Sequence, residues 1–304
     1  MTHFDMSTTT IVLAALMLDA CLGEPRRWHP LIGFGRFAQA IEMRLHANSR
    51  VRGIAATTLA LLPPVLLTFG LAATCRSIVF DVVMLYLAIG WRSLEQHAGR
   101  VRDALQQQNL AAARSAVGLI VSRDTAHLDE TDIAKATVES VLENGNDAIF
   151  GAIFWFVVAG VPGVVLYRLS NTLDAMWGYR NARYAQFGWA AARLDDLLNI
   201  IPARLTALSF AVVGHFSIAM HCWRHQAPHW KSPNAGPVMA AGAGALGVTL
   251  GGSACYHGAM ISRPVLGLGL TAQASDIHRA TRLIRRALML WVAVLALAEG
   301  LLHV

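Results

Sequence analysis

The chain has 304 residues, 55% hydrophobic and 14% charged, with a mean hydropathy of +0.46. Soluble domains carry about a quarter charged residues, so this balance excludes disorder and argues against an ordinary water-soluble domain. Lys and Arg outnumber Asp and Glu by 25 to 19, a formal charge of +6, without the clustered basic stripe and recognition module that nucleic-acid binding requires.

The longest charge-free blocks are Gly53 to Cys75, Ala148 to Tyr167, Leu205 to Trp223 and Ser232 to Ser262. Apolar runs of about 18 residues or more are candidate membrane spans. The expected fold is therefore all-α: one integrated polytopic membrane domain over residues 1–304, with about five transmembrane helices, a re-entrant helical hairpin and cytoplasmic helical segments. Cys21, Cys75, Cys222 and Cys255 form no C-x-x-C pair, so neither a disulfide framework nor a thiolate zinc site is expected.

A first helix is expected over residues 7–22. Arg26, Arg27, Arg36, Arg44, Arg50 and Arg52 follow it, against only His3 and Asp5 before it, which puts residues 24–52 in the cytoplasm by the positive-inside rule. Spans near 53–74 and 77–92 form a tight external hairpin, the first kinked at Pro63-Pro64. Residues 92–146 are polar with helical periodicity and form a cytoplasmic insert. Residues 147–204 form a hairpin and motif-rich segment. Its apolar stretch 148–167 is broken at Gly160-Val161-Pro162-Gly163, leaving two arms of about 12 residues, or ~18 Å each against a ~30 Å hydrocarbon core. A re-entrant hairpin keeps Arg168, Arg180, Arg183 and Arg193 on the cytoplasmic side. Leu205 to Trp223 and Ala287 to Val304 read as the remaining spans, and residues 224–286 have no assigned topology.

Ten of the nineteen carboxylates fall between Asp124 and Asp196. If Asp129 caps a helix running to about Asn144, then Asp132, Glu139 and Glu143 lie within about 40° on one face, with Asp147 at the hairpin entrance. Such a column either faces water or holds a cation such as magnesium, which takes one or two carboxylates plus water and substrate phosphate. After the hairpin, carboxylates, amides and arginines alternate through Asn171-Thr172-Leu173-Asp174, Gly178 to Tyr184, Arg193 to Asn199 and Pro202-Ala203-Arg204. Arginines on phosphate oxygens and carboxylates on metal would use these residue types together; interfacial anchoring is the plainer alternative. Asp19 and His29 stand at the cytoplasmic mouth of the first helix. His221, Cys222, His225 and His229 read as interfacial residues, and Gly242-Ala243-Gly244-Ala245-Leu246-Gly247 as helix packing, because no strand precedes this G-x-G-x-x-G.

These blocks together resemble the adenosylcobinamide-phosphate synthase family of cobalamin biosynthesis, the CobD/CbiB membrane proteins. The resemblance runs from Leu18-Asp19, Leu22-Gly23-Glu24-Pro25 and His29-Pro30 to about Leu250. It is densest in Ser122-Arg123-Asp124-Thr125, Glu139 to Asn144, Asn171 to Met176, Gly178 to Tyr184, Phe187 to Asp196, Asn199 to Arg204 and Ser232 to Gly236. Glu24 stands where that family commonly has Asp, Gly151 near its usual proline, and Gly236 meets Pro237 where an aromatic often follows.

The resemblance implies an acid–amine ligase of the cell inner membrane, joining adenosylcobyric acid to (R)-1-aminopropan-2-ol or its O-phosphate in a site facing the cytoplasm, with ATP and Mg2+ as cofactors. It implies Glu139, Glu143, Asp174, Asp195 and Asp196 as catalytic, the first four being magnesium candidates. Phosphate and substrate binding would fall to Asp19, His29, Arg123, Asp124, Thr125, Asn144, Asn171, Tyr179, Arg180, Asn181, Arg183, Arg193, Asn199, Arg204 and Asn234. Its partners would be the corrinoid and amine substrates, the lipid bilayer and other membrane-associated cobalamin enzymes, with no nucleic acid. The rival expectations are a corrinoid or organic-anion transporter and a non-catalytic platform for corrinoid enzymes.

Overall fold

The computed structural model describes residues 7–25, 29–179, 181–256 and 258–302. It is mostly helical, 76% of the chain. The chain divides into two compact units: residues 1–90 and 147–199 in one, 91–146 and 200–302 in the other.

The first unit begins with α1 (Thr8–Leu22), whose first turn is capped by the Ser7 hydroxyl accepting from the Thr10 N–H at 3.2 Å. In α2 (Pro30–Leu45) the proline occupies the first turn, where its missing N–H costs nothing. Then come α3 (Arg50–Cys75), continuous through Pro63-Pro64, and α4 (Ile78–Ala88). At 11 residues α4 is ~16 Å long, too short to cross a bilayer alone. It does not provide the span expected near 77–92.

A π-turn at Asn146–Phe150 leads into α8 (Gly151–Trp177), which is interrupted by Ala159 at φ −137° and Gly160 at φ 61°, ψ −152°. Only glycine takes that second conformation readily. The chain doubles back there. Tyr167 Oη donates to the Asp147 carbonyl at 3.2 Å, and a Cβ on Gly151 would strike the Tyr167 ring and hydroxyl. Phe34, Ala38 and Ile41 of α2 pack with Ala56, Ala60 and Leu61 of α3, Leu169, Leu173 and Trp177 of the second arm, and Phe187 and Ala191.

The second unit contains α5 (Trp91–Gln106), α6 (Leu110–Val117) and α7 (Glu130–Gly145). Asp129 caps α7 as the sequence suggests, accepting the Asp132 N–H at 2.8 Å. Helix α9 (Trp189–Val213) starts in the first unit and ends in the second. The chain breaks at Gly214-His215, so Leu205 to Trp223 is not one span: α10 (Phe216–Gln226) is a separate helix packed on α11 (Ala235–Leu246). Every residue of α11 is buried, with Gly242 against Leu142 and Gly244 against Ala219. The glycine pattern is therefore packing, as expected. A final helix, α12 (Ala274–Leu302), packs on α5 and α7.

Five short strands correct the all-α expectation: β1 (Val248–Gly251), β2 (Ala254–Tyr256), β3 (Ala259–Ile261), β4 (Val265–Gly267) and β5 (Leu270–Thr271). β1 lies between antiparallel β4 and parallel β5, and β2 pairs with β3. Helix is excluded here because Gly251 and Gly267 take φ of 76° and 86°, with the Pro264 and Val248 backbone oxygens, respectively, where a Cβ would sit. By length and composition, three helical stretches could cross a membrane: Arg50–Cys75, Glu130–Trp177 and Trp189–Val213.

A Cβ at Gly53 would collide with the Phe187 carbonyl, whereas one at Gly70 meets nothing within 4 Å. Gly53→Ala should lower the unfolding temperature in detergent, an overpacking cost of about 1–3 kcal/mol. Gly70→Ala should raise it slightly through helix propensity. Equal unfolding temperatures for the two variants would mean that α3 and the Phe187 backbone are not in close contact.

Candidate active site

The second arm of α8 presents Arg168, Asn171 and Asp174 on successive turns, and the start of α9 presents Asp195, Asp196 and Asn199. Asn171 Nδ2 donates to Asp195 Oδ1 at 3.3 Å, and Asn199 Nδ2 donates to the two Asp195 oxygens at 3.2 and 3.3 Å. Tyr167 Oη shares its one hydrogen between the Asp147 carbonyl and Asn199 Oδ1, which lies 3.0 Å away, and so orients the amide. Trp155 Nε1 donates to the Leu198 carbonyl at 2.9 Å and ties α9 to the first arm.

Asp147, from the π-turn, and Asp174 lie close enough to repel Asp195, and Asp196 repels Asp174. Asp174 and Asp195 enter no ion pair among the described residues. Asp195 is thus held by two neutral amides, which satisfy its lone pairs without cancelling its charge. Arg193 pairs with Asp196 at 3.3 Å on an exposed turn.

Around this cluster, the Gly178 to Gly188 loop is tied down by Glu42, a residue the sequence reading passed over. Its carboxylate accepts from Trp177 Nε1 at 3.1 Å, Arg183 Nε and Nη2 at 3.1 and 2.7 Å, and Tyr184 Oη at 2.9 Å. His46 Nε2 lies 3.0 Å from the Arg183 carbonyl oxygen. The signal in the sequence is a lone carboxylate beside the apolar face Phe34, Ala38 and Ile41. Arg183 is therefore committed to Glu42, and Asn181 to the Tyr184 N–H at 3.0 Å. Tyr179 is exposed, and Arg180 lies outside the described residues.

In the same unit Asp19 is buried in α1, and His29 caps α2, its Nδ1 accepting the Leu31 N–H at 3.2 Å. Burial holds the His29 pKa below its ordinary value; Glu24, 3.8 Å away, opposes this and Arg168 adds to it.

In the second unit Glu139, 3% exposed, accepts from Arg123, from Arg263 at 3.0 and 3.2 Å and from the Gly251 N–H at 2.8 Å. Asp124 Oδ2 accepts from the Gly258 N–H at 2.7 Å and from Cys255 Sγ at 3.4 Å, and the Asp124 N–H donates to the Cys255 carbonyl at 3.0 Å. The Ser122-Arg123-Asp124-Thr125 block thus anchors the β2–β3 turn, with the Thr125 carbonyl closing a turn onto the Leu128 N–H. Glu143 is half-buried one turn beyond Glu139. Asn144 Nδ2 donates to the Ser140 carbonyl at 2.9 Å, and Arg204 reaches Asn234 Oδ1 at 2.8 Å and the Pro233 carbonyl at 3.2 Å.

The residues expected to share a site therefore fall into two groups: Asp174, Asp195, Asp196, Asn171 and Asn199 in the first unit, and Glu139, Glu143, Asn144, Arg123, Asp124, Arg204 and Asn234 in the second. Among the described residues no three His, Cys, Asp or Glu side chains converge closely enough to enclose a metal ion. His221 and His225 stack with centroids 4.4 Å apart.

The family model described as CobD/Cbib protein matches residues 12–284. The chain is 56% identical over 307 residues to the cobalamin biosynthesis protein CobD of Chromobacterium violaceum, covering 98% of both chains. It is 55% identical to the Stutzerimonas stutzeri protein of that name, covering 95% of this chain and 97% of the other. For the Mycobacterium tuberculosis protein the identity is 38%, covering 94% and 93%. No solved structure matches.

Burial pushes the Glu42 carboxyl up, but the bonds from Arg183, Tyr184 and Trp177 and the Arg183 charge outweigh it and leave the pKa below the ordinary 4.5. A pKa depressed on folding contributes stability above the unfolded value that is lost as pH falls through the folded one. Glu42→Gln should lower the unfolding temperature at neutral pH and flatten its decline below pH 4.5. An acid limb as steep as that of the parent chain would remove Glu42 from this role.

Proposed function

The chain belongs to the CobD/CbiB protein family of cobalamin biosynthesis, and we propose that it joins the free carboxylate of adenosylcobyric acid to aminopropanol or its O-phosphate. The observation that carries this reading is the convergence of α8 and α9 on Asp195. There Asn171 and Asn199 hold a carboxylate that Asp147 and Asp174 repel and that no cation among the described residues neutralises.

Amine and carboxylate do not condense unaided in water, because the carboxylate carries a poor leaving group and repels the nucleophile. If ATP supplied the activation, its terminal phosphoryl group would pass to the carboxylate oxygen with release of ADP; the amine would then form the C–N bond as phosphate leaves, with loss of one amine proton. The residues present fit magnesium, whose hard oxygen preference Asp174 and Asp195 match. Because no three acids converge, the ion would take one or two carboxylates and complete its shell with water and phosphate, as magnesium usually does. When bound, it supplies positive charge to the phosphate oxygens.

The chain's own contribution is positioning. Tyr167 orients Asn199, Asn199 and Asn171 orient Asp195, and Glu42 fixes the loop between Trp177 and Trp189. Glu139, held by two arginines, serves in this reading to join α7 to the strand region. The reversal at Ala159-Gly160 supports reading residues 147–177 as a re-entrant hairpin entered from the cytoplasm, with the site at the inner-membrane surface. Non-helical backbone at that depth must be sheltered by protein, and Gly163 packs against Ala159 and the Trp155 carbonyl.

Purified protein in detergent, given adenosylcobyric acid, aminopropanol phosphate and Mg-ATP, should yield the amide by mass spectrometry. Absence of product from folded protein with both amines would overturn the reading. Asp195→Asn preserves the shape and removes the charge, so turnover should fall at least about 100-fold, in line with loss of electrostatic stabilisation, with the unfolding temperature unchanged or raised. Retained turnover would take Asp195 out of the reaction.

A further inference from the structure

Arg168 is a group at this site whose hydrogen-bonding capacity is left open among the described residues. It stands on the second arm of α8, half-buried, one turn before Asn171. Its Nε is shielded from solvent and has no acceptor. Its Nη1 reaches Asn171 Oδ1 only at 3.4 Å, and it enters no ion pair among the described residues.

A guanidinium is a cation with five N–H donors in a planar fork, and a shielded donor without an acceptor is destabilising. Its neighbours do not neutralise it. Tyr167 Oη is committed to Asp147 and Asn199. His29 is a neutral-leaning ring whose Nδ1 is taken by Leu31, with a further hydrogen bond to the Leu87 backbone. Asn171 joins the two kinds of charge, its Oδ1 facing Arg168 and its Nδ2 facing Asp195.

We propose that Arg168 is a phosphate-binding residue of the first unit, taking a phosphate oxyanion on its unsatisfied guanidinium edge one amide side chain away from Asp195. A planar guanidinium offers two parallel N–H bonds to such a group. This deepens the synthase reading and rests on it for the identity of the small ligand, either the phosphate of the amine or that of the nucleotide. A phospholipid headgroup carries the same chemistry.

The test uses the full chain in detergent, with Arg168→Gln and Arg168→Lys compared with the parent at matched unfolding temperatures. Phosphorus NMR titrations with inorganic phosphate, aminopropanol O-phosphate and Mg-ATP give dissociation constants, and phosphorus analysis gives the phospholipid retained through purification. In the glutamine variant at least one soluble phosphate should bind tenfold or more weakly. Lysine, which keeps the charge and loses the fork, should fall between parent and glutamine. Affinity for unphosphorylated aminopropanol should not change. If the retained phospholipid falls instead, the phosphate is that of a headgroup. Unchanged affinity for all three soluble phosphates together with unchanged phospholipid, in a folded variant of either kind, overturns the proposal. Should the glutamine variant not fold, the lysine variant carries the same comparison. Failure of the synthase reading is separately visible, as absence of amide from the parent chain, because phosphate binding is read without turnover.

Discussion

A straight α-helix would carry Tyr167 about 30 Å beyond Asp147 at 1.5 Å per residue. Instead the phenol donates to the Asp147 carbonyl, because the chain reverses at Ala159 and Gly160. The arrangement of the first unit depends on that reversal. It lays the second arm beside the π-turn, so that Asn171 and Asp174, which follow Tyr167 by one and two turns, come within electrostatic range of Asp147 and of the start of α9. The reversal depends in turn on Gly160 at φ 61° and on Gly151, which leaves room for the tyrosine ring. The two glycines are nine residues apart, and one turns the chain while the other admits the side chain that holds the arms together.

The two units treat buried acids in opposite ways. Glu139 is removed from water and matched by two guanidiniums and a backbone N–H, so that its oxygens are filled and its charge more than balanced. Breaking such a pair is costly because the remaining partner stays buried and charged, which suits a joint between α7 and the strand region. Asp195 receives only amide N–H groups. Hydrogen bonding is satisfied without a cation among the described residues, and Asp147 and Asp174 place further acids beside it. A joint needs the first arrangement, and a cation-binding group needs the second.

Much of the local structure in both units could be read from the sequence. The Gly160 to Gly163 break, the Asp129 cap and the packing role of the Gly242 to Gly247 run follow from local chemistry: a missing Cβ, a side-chain acceptor before an amphipathic run, small residues in an apolar helix. The acids were visible as a density of charge in an apolar chain, but their division was not. Glu139 and Glu143 share a helix face as the periodicity requires, yet what Glu139 meets is decided by Arg263, 124 residues away and in a region with no readable topology. Glu42 was missed for a similar reason. Its partners Trp177, Arg183 and Tyr184 follow it by more than 130 residues, and on α2 it looks like any polar residue beside an apolar stripe. The strands were hidden by composition, since a Gly- and Ala-rich run satisfies a packed helix up to Leu246 and strand turns after it.

Asn171 and Asn199 show why the identity of a partner matters more than its presence. An arginine or lysine at either position would hold Asp195 as firmly, and a charged hydrogen bond is stronger than a neutral one. It would also occupy the carboxylate with a fixed cation, and any incoming ion would have to displace it. Amides give up that strength and leave the charge available. Tyr167 completes the arrangement: by donating to Asn199 Oδ1 it keeps the amide nitrogen turned toward Asp195, and its own position is set by the reversal nine residues after Gly151. The orientation of one carboxylate is therefore fixed by backbone geometry, through groups that add no positive charge at any step.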